Sequence, residues 1–265
     1  MIFLKTDDEI ELLRQSNLLV GKTLAEVAKL IRPGVTTLEL DKVAEEFIRD
    51  NGAIPTFKGY PSPYGGAFPG TLCTSVNSQV VHGIPNNIPL QEGDIISVDC
   101  GTLLNGFCGD SAYTFCVGEV KPEIRELLKV TKEALYLGIQ NAIHGKRLGD
   151  IGYAIQTHCE FNSYGVVREF VGHGIGKDMH EEPQVPNYGK RGSGTMLKKG
   201  MCLAIEPMIT MGARQIVMEN DGWTVRTKDL STAAHFEHTV AVGIGKADIL
   251  SSFEYIEQVL GDKSI

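Results

Sequence analysis

Residues 93–99 read Gly-Asp-Ile-Ile-Ser-Val-Asp, a glycine followed by a nearly all-apolar run that reaches a carboxylate. Residues 200–206 repeat this arrangement as Gly-Met-Cys-Leu-Ala-Ile-Glu. Short apolar runs bounded by turn residues are typical of buried strands. The sequence therefore predicts two equivalent strands that end in the acidic side chains Asp99 and Glu206.

Two further matches occur in the same order in both halves of the chain. Residues 82–84 and 173–175 both read His-Gly-Ile, and a glycine-containing turn precedes a helical pattern at 31–34 and again at 143–146. Together, the matches predict an internal duplication with pseudo-twofold symmetry. The predicted organisation is a single domain, 1–265, with pseudo-repeats at about 7–120 and 121–245.

Helical patterns surround these strands. The first runs from about Ile10 to a stop before Gly34, with Asn17 as the one polar interruption of its apolar face. A second begins near Thr36, where Glu39 completes a capping box. The remaining predicted segments are helices near 123–143 and 148–161, and a Pro- and Gly-rich loop or shaped lid over 55–71.

The composition argues against several classes of function. The chain carries 33 Asp and Glu against 25 Lys and Arg, a net charge of -8, which argues against a DNA-binding protein. No run approaches the roughly 20 apolar residues of a membrane span. The first residues lack a secretory pattern, and the six cysteines lack paired short spacings. We therefore expect a cytoplasmic protein with free thiols and with no DNA or membrane partner.

The Asn-Gly pair at 105–106 predicts a two-residue hairpin turn after the first strand. With that turn Gly101 faces Asp110, so Asp99 and Asp110 share one face as diagonal neighbours, roughly 7–8 Å apart at the backbone. A loop one residue longer would reverse the side-chain parity and separate them. The two-residue turn predicts that both carboxylates reach a common ion.

Four acids stand in or beside apolar runs: Asp99, Asp110, Glu206 and Glu237. Taken singly, such an acid is more often a turn or cap residue. Gathered in one place, four carboxylates repel one another, and buried charge is costly unless it is paired or bound to metal. Two divalent ions match this charge. An oxygen-rich set with one imidazole and no thiolate suits Co, Mn, Fe or Zn.

Three of the seven histidines lie in irregular segments beside glycines or acids, where functional groups concentrate; they are His82, His173 and His180. Each alone is more often a hydrogen-bonded core or surface group. We interpret His144 and His158 as structural. His235 and His238 flank Glu237, are expected to point to the face opposite from it, and receive no role.

Several short motifs resemble those of the type I methionine aminopeptidases, from the first helix to about residue 243. They are Ser-Val-Asn at 75–77, His-Gly-Ile-Pro at 82–85, the acids 99 and 110, Gly-His-Gly-Ile-Gly at 172–176, His-Glu-Glu-Pro at 180–183, Ala-Ile-Glu-Pro at 204–207, Asn-Asp-Gly-Trp-Thr at 220–224 and Glu-His-Thr at 237–239. The resemblance implies an α+β pita-bread fold, a curved antiparallel sheet with helices on the outer face and metals in the central hollow.

The resemblance also implies an activity and a ligand set. The activity is removal of the N-terminal methionine from nascent proteins and peptides with a small second residue, by attack of a metal-bridging water or hydroxide on the first peptide bond. By similarity, Asp110 and Glu237 bridge two divalent ions. The full implied ligand set is Asp99, Asp110, His173, Glu206 and Glu237.

Catalytic roles follow from the same similarity. Glu206 would take the proton from the attacking water, a general-base role that needs a tuned pKa. His180 would hydrogen-bond the scissile amide and His82 would contact it from the other side. The implied substrate-binding residues are His82, His180, Cys73, Trp223 and Phe68.

Some positions depart from the family pattern and leave the width of the methionine pocket open. Met179 stands where relatives often carry an aromatic residue, the loop 61–69 is Gly-rich where tyrosines often stand, and Gly-Thr at 70–71 replaces a common Lys-Ser.

The implied partners are nascent N-termini and, transiently, the ribosome. Basic pairs at 190–191 and 198–199 could touch RNA, although a solvated loop is the favoured interpretation. A monomer is expected.

Two alternatives belong to other functional classes. An enzyme of the same fold could cleave before proline, as prolidase and aminopeptidase P do, but those usually carry an additional N-terminal domain. A binding module could have kept the fold and lost catalysis, but such relatives normally lose metal ligands, and all five implied ligands are present here.

Overall fold

Five α-helices and one short 3-10 helix occur in residues 1–62 and 66–265, which are the residues that the computed structural model describes. They are α1 (Asp7–Ala28), α2 (Thr37–Asp50), α3 (Pro122–Ile139), α4 (Leu148–Phe161), α5 (Glu254–Leu260) and the 3-10 turn Gly261–Lys263. The predicted helices are confirmed, with α3 ending earlier than expected. The helix ends here because the side chain of Asn141, in place of its backbone amide, donates to the Leu137 carbonyl at 2.8 Å.

The strands are short except for one central pair. In chain order they are β1 (Ile54–Pro55), β2 (Leu72–Val76), β3 (Gln79–Val81), β4 (Ile95–Leu104), β5 (Phe107–Cys116), β6 (Gly165–Val166), β7 (Gly172–Gly174), β8 (Glu181–Val185), β9 (Cys202–Ile205), β10 (Met208–Thr210), β11 (Ile216–Met218), β12 (Val225–Thr227), β13 (Ala233–His235), β14 (His238–Ala241) and β15 (Asp248–Ile249). Among the described residues the strand pairs are all antiparallel, as the prediction of an antiparallel sheet requires.

The hairpin of β4 and β5 carries the first half of the site. Leu104 faces Phe107 across the turn and Gly101 faces Asp110, which is the predicted register. Asn105 and Gly106 both have positive φ, 54° and 79°, as a type I′ turn requires. The hairpin prediction is confirmed, but β4 continues through Leu104. Asp99 therefore lies inside a strand rather than at its end, because β5 pairs with all ten residues of β4.

The second half of the site lies on the five-stranded sheet ordered β15-β14-β9-β7-β8. In it His173 of β7 faces Ala204 of β9, and His238 of β14 faces Ile205. Hydrogen bonds join this sheet to β5. The Glu237 amide donates to the Ala112 carbonyl at 2.9 Å, and the Ser111 hydroxyl donates to the Glu237 carbonyl at 2.7 Å. These bonds hold the segment that carries Glu237 against β5, which carries Asp110.

Helices cover the outer side of these sheets. On α1, Leu13, Val20 and Leu24 are fully buried, and the helix packs on β4 and β5. Both α1 and α2 begin with a capping box, at Thr6 and Thr36, and the second of these is the predicted one. None of the helices in the described part of the chain is both long and apolar enough to cross a bilayer. The division into pseudo-repeats stays a prediction.

Candidate active site

A cavity of about 320 Å³ opens where the β4–β5 hairpin meets the five-stranded sheet. Every predicted site residue lines it. The described lining residues are Phe57, Tyr60, Pro61, Phe68, Cys73, His82, Asp99, Asp110, His173, His180, Glu206, Trp223 and Glu237. The acids and histidines of this lining are called the polar centre, and the side chains of Phe68, Cys73 and Trp223 are called the apolar wall.

The polar centre gathers carboxylates from four separate segments. Asp99 and Asp110 project from β4 and β5, Glu206 directly follows β9, and Glu237 lies between β13 and β14. Ligand-type atoms of Asp110, His173 and Glu237 all lie within 4.8 Å of one another. This distance is short enough for a single ion to contact several of them.

His173 is oriented towards these acids by the backbone of the next residue, Gly174. Its Nδ1 lies 2.8 Å from the Gly174 carbonyl oxygen, which is an acceptor, so Nδ1 carries a proton. Its Nε2 lies 3.6 Å from Asp110 Oδ2 and 3.8 Å from Glu206 Oε1. A backbone carbonyl that fixes one ring nitrogen and aims the other at a cluster of acids is the usual arrangement around a metal-binding histidine.

The chemistry of the acids fits divalent cations. Asp99 Oδ1, Asp110 Oδ1 and Glu237 Oε1 are buried and have no hydrogen-bond partner within the described residues. Burial, followed by repulsion from Asp110, raises the pKa of Asp99 and of Glu237 well above the usual range. No Lys or Arg stands among the described lining residues to offset the charge. Buried acids of this kind are stabilised either by a proton or by a bound cation.

His82 and His180 line the same cavity as the acids. The His82 ring meets Phe170 edge to face at 5.3 Å, and its backbone has a positive φ of 58°. The His180 ring lies 4.3 Å from that of His173. Burial lowers the pKa of each of the two histidines, His82 and His180, to about 4. Both are therefore neutral near pH 7 and can each donate one N–H.

The apolar wall is formed by aromatic side chains around a buried thiol. Phe68 and Trp223 meet edge to face at 5.1 Å, and Trp223 Nε1 donates to the Gly66 carbonyl at 3.0 Å. Cys73 is buried, and burial raises the pKa of its thiol well above the usual range. This wall is therefore uncharged.

Two aromatic lining residues were not among the predicted site residues. Phe57 and Tyr60 come from the segment 55–71 that the sequence predicts as a shaped lid. That prediction was the one sequence feature that could have placed them at the site. Part of that segment, residues 63–65, lies outside the described residues.

Met179 is buried against β4, since a Cβ added at Gly101 would meet its Cε at 2.6 Å, and it is not among the described lining residues. Met179 instead packs in the same apolar cluster as the lining residues Phe57 and Tyr60.

His235 corrects an expectation from the sequence. It was expected to face away from the acids, but its Nε2 lies 3.3 Å from Glu206 Oε2. Side chains two residues apart in an extended chain point the same way, so the spacing of His235 and Glu237 already argued against that expectation. His238 does face away and contacts Ser251 Oγ at 2.6 Å. His144 and His158 contact Lys199 and Glu133, outside the cavity.

Comparison with known proteins covers nearly the whole chain. The model of metallopeptidase family M24 matches residues 11–243. A methionine aminopeptidase of Clostridium acetobutylicum is 51% identical over 96% of this chain and 100% of its own length. Methionine aminopeptidase 1 of Bacillus subtilis is 49% identical over 95% of this chain and 99% of its own.

Solved structures agree with these sequence matches. Methionine aminopeptidase from Rickettsia prowazekii superposes with a TM-score of 0.92 at 40% identity, covering 95% of this chain and 100% of that one. A prolidase from Pyrococcus furiosus reaches 0.74 at 22% identity and covers 66% of that longer chain, which shows the fold alone. The predicted pita-bread fold is confirmed. The chain therefore belongs to metallopeptidase family M24 and, within it, to the methionine aminopeptidases.

Proposed function

We propose that this enzyme removes the N-terminal methionine from proteins and peptides whose second residue is small, with two divalent metal ions as cofactors. The observation that carries the proposal is a cavity in which four carboxylates and an imidazole adjoin an apolar wall of Phe68, Cys73 and Trp223. The acids suit the ions. The apolar wall suits the thioether side chain of methionine.

The residues that would hold the two ions are Asp99, Asp110, His173, Glu206 and Glu237. The unpartnered oxygens of Asp99, Asp110 and Glu237 support this assignment. When bound, divalent ions would offset the carboxylate charge and lower the pKa of a water molecule. The donor set accepts Co, Mn, Fe or Zn, so cellular supply decides which ion is used.

The chain's own residues supply the proton transfer and the polar contacts. Glu206 would accept the proton of the attacking water, since its carboxylate faces the same cavity. His180 and His82 would each donate an N–H to the scissile amide and stabilise the negative charge that develops on its oxygen. Their lowered pKa keeps them neutral, and a neutral ring donor adds no fixed charge beside the ions.

The small cavity supports action on chain ends. A volume of about 320 Å³ lies at the low end of the 300–1,000 Å³ range of ligand pockets. It has room for a methionine side chain, and the preference for a small second residue is proposed from the membership in the methionine aminopeptidases rather than from this volume. All six cysteines are free, as expected for the predicted cytoplasmic location. The monomeric state and ribosome contact stay predictions.

Peptide cleavage tests the proposal directly. Metal-loaded protein is incubated with Met-Ala-Ser, Met-Lys-Ser and Ala-Pro-Ser, and free amino acids are measured by mass spectrometry. We expect methionine from the first peptide only, because the proposed preference for a small second residue excludes lysine. Absence of methionine release from Met-Ala-Ser would contradict the proposal. Release of alanine from Ala-Pro-Ser in its place would favour cleavage before proline.

A further inference from the structure

The phenol of Tyr60 contacts His180 at the edge of the cavity. Its Oη lies 2.7 Å from His180 Nδ1, and the two rings meet edge to face with centroids 5.2 Å apart. We propose that Tyr60 is a positioning residue that donates its hydroxyl proton to Nδ1 and so holds His180 in the tautomer with its proton on Nε2. This inference rests on the donor role proposed for His180.

The choice of tautomer decides whether His180 can act as a donor. A neutral imidazole has one N–H, and its other nitrogen is an acceptor. If Nδ1–H donated to Tyr60, Nε2 would present a lone pair to the amide carbonyl, which is also an acceptor, and no hydrogen bond could form. Donation by Tyr60 leaves the proton on Nε2. Burial raises the pKa of Tyr60, so its hydroxyl keeps the proton that it donates.

The backbone around Tyr60 fixes the position of its ring. The Tyr60 amide donates to the Phe57 carbonyl at 2.9 Å, and the Phe68 amide donates to the Tyr60 carbonyl at 2.9 Å. The Gly59 amide also donates to the Phe68 carbonyl, at 2.8 Å. The segment that supplies Phe68 to the apolar wall therefore also holds the hydroxyl that orients His180.

The matched variant is Tyr60→Phe, which removes the hydroxyl and keeps the ring that packs on His180. In zinc-loaded protein with nitrogen-15-labelled histidine, we expect the parent to show an acceptor-type Nδ1 and a protonated Nε2 at His180. Tyr60→Phe should give a mixture of both tautomers. With Met-Ala-Ser, kcat should fall roughly tenfold with KM nearly unchanged, the loss expected for one hydrogen bond that matters in the transition state.

Controls separate positioning from a general structural effect. Tyr153→Phe, at a half-exposed tyrosine of α4 outside the cavity, should leave the spectrum and kcat unchanged. Zinc content and Tm of Tyr60→Phe should match the parent. In a His180→Ala background, Tyr60→Phe should cause no further loss, because residues that act as a unit are not additive.

Three results would overturn the inference. They are a protonated Nδ1 at His180 in the parent, an unchanged kcat in Tyr60→Phe, and an equal loss in the His180→Ala background. Failure of the parent to release methionine would instead overturn the proposed function. The nitrogen-15 spectrum would still report the contact between Tyr60 and His180, so the two failures are distinguishable.

Discussion

Asn17 is the polar interruption on the apolar face of α1, and it is fully buried. Its Oδ1 accepts from the Asp110 amide at 3.1 Å, and its Nδ2 donates to the Leu13 carbonyl at 2.9 Å. The residue thus ties the first helix to the strand that carries a proposed metal ligand. What looks like a defect in the helical pattern is a buried hydrogen-bond partner.

Replacing Asn17 with leucine should improve the apolar pattern and weaken the protein. Asn17→Leu leaves the buried Asp110 amide without an acceptor, which costs about 1–3 kcal/mol of unfolding free energy. Urea denaturation measures the loss. Gln15→Leu on the same helix removes only an exposed hydrogen bond to Asn105 and should stay within about 0.5 kcal/mol of the parent. Equal losses in both variants would contradict this account.

The buried acids predict how the stability of ion-free protein depends on pH. Burial and the neighbouring Asp110 raise the pKa of Asp99 and Glu237, so the folded chain binds their protons more tightly than the unfolded chain does. Their contribution is fully present below their ordinary pKa values of 3.8 and 4.5. It is lost as the pH rises through the raised folded-state values.

We therefore expect Glu237→Gln to be more stable than the parent in EDTA, by a margin that grows between about pH 5 and about pH 8. The amide keeps the shape of the side chain and removes the charge. Urea denaturation at the two pH values gives the margin. Glu254→Gln, at an exposed position of α5, is the control and should show no such trend. A margin independent of pH would refute the expectation.

At the scale of single elements, the β4–β5 hairpin sets the spacing of Asp99 and Asp110. Its turn needs positive φ at both central residues, which Asn and Gly adopt readily. Gly106→Ala should therefore destabilise the protein by about 1–2 kcal/mol, the usual cost of a left-handed conformation for a residue with a Cβ. Thermal unfolding reports the change. Gly106→Asn is the matched variant and should cost less, so a larger loss with Asn would argue against turn strain as the cause.

At the scale of the whole molecule, the proposed ligands join segments that are far apart in the sequence. Asp99 and Asp110 come from the hairpin, while His173, Glu206 and Glu237 come from the second half of the chain. An ion bound by ligands from the hairpin and from the second half of the chain links the two halves. This link exists in the folded state and not in the unfolded one. Metal binding should therefore stabilise the entire fold rather than one loop.

The size of that stabilisation follows from mass action. A divalent ion at about 100 times its dissociation constant should add about 2.7 kcal/mol, or roughly 5–10 °C in Tm for a chain of this size. Differential scanning fluorimetry with and without EDTA measures it. Asp99→Asn should show a smaller shift. An unchanged Tm in the parent at saturating Mn, Co and Zn would count against a metal centre that spans both halves.

Much of the fold was predictable because the determining signals are local. The capping box at Thr36, the Asn-Gly turn at 105–106 and the apolar run ending at Val98 each depend on neighbours within a few residues. The error for Asp99 arose where a pairing partner decides, because β5 extends the ladder past it. The error for His235, whose Nε2 lies 3.3 Å from Glu206 Oε2, was one of side-chain parity, since His235 and Glu237 are two residues apart.

The residues by themselves determined the helices, the hairpin register and the types of side chain available for an ion site, because propensity, periodicity and turn chemistry act along the chain. Only the tertiary structure decided which of them meet. Contacts such as those of Ser111 with Glu237 and of Tyr60 with His180 join segments far apart in sequence. Such contacts depend on how sheets pack and how loops close, and no local pattern encodes those distances.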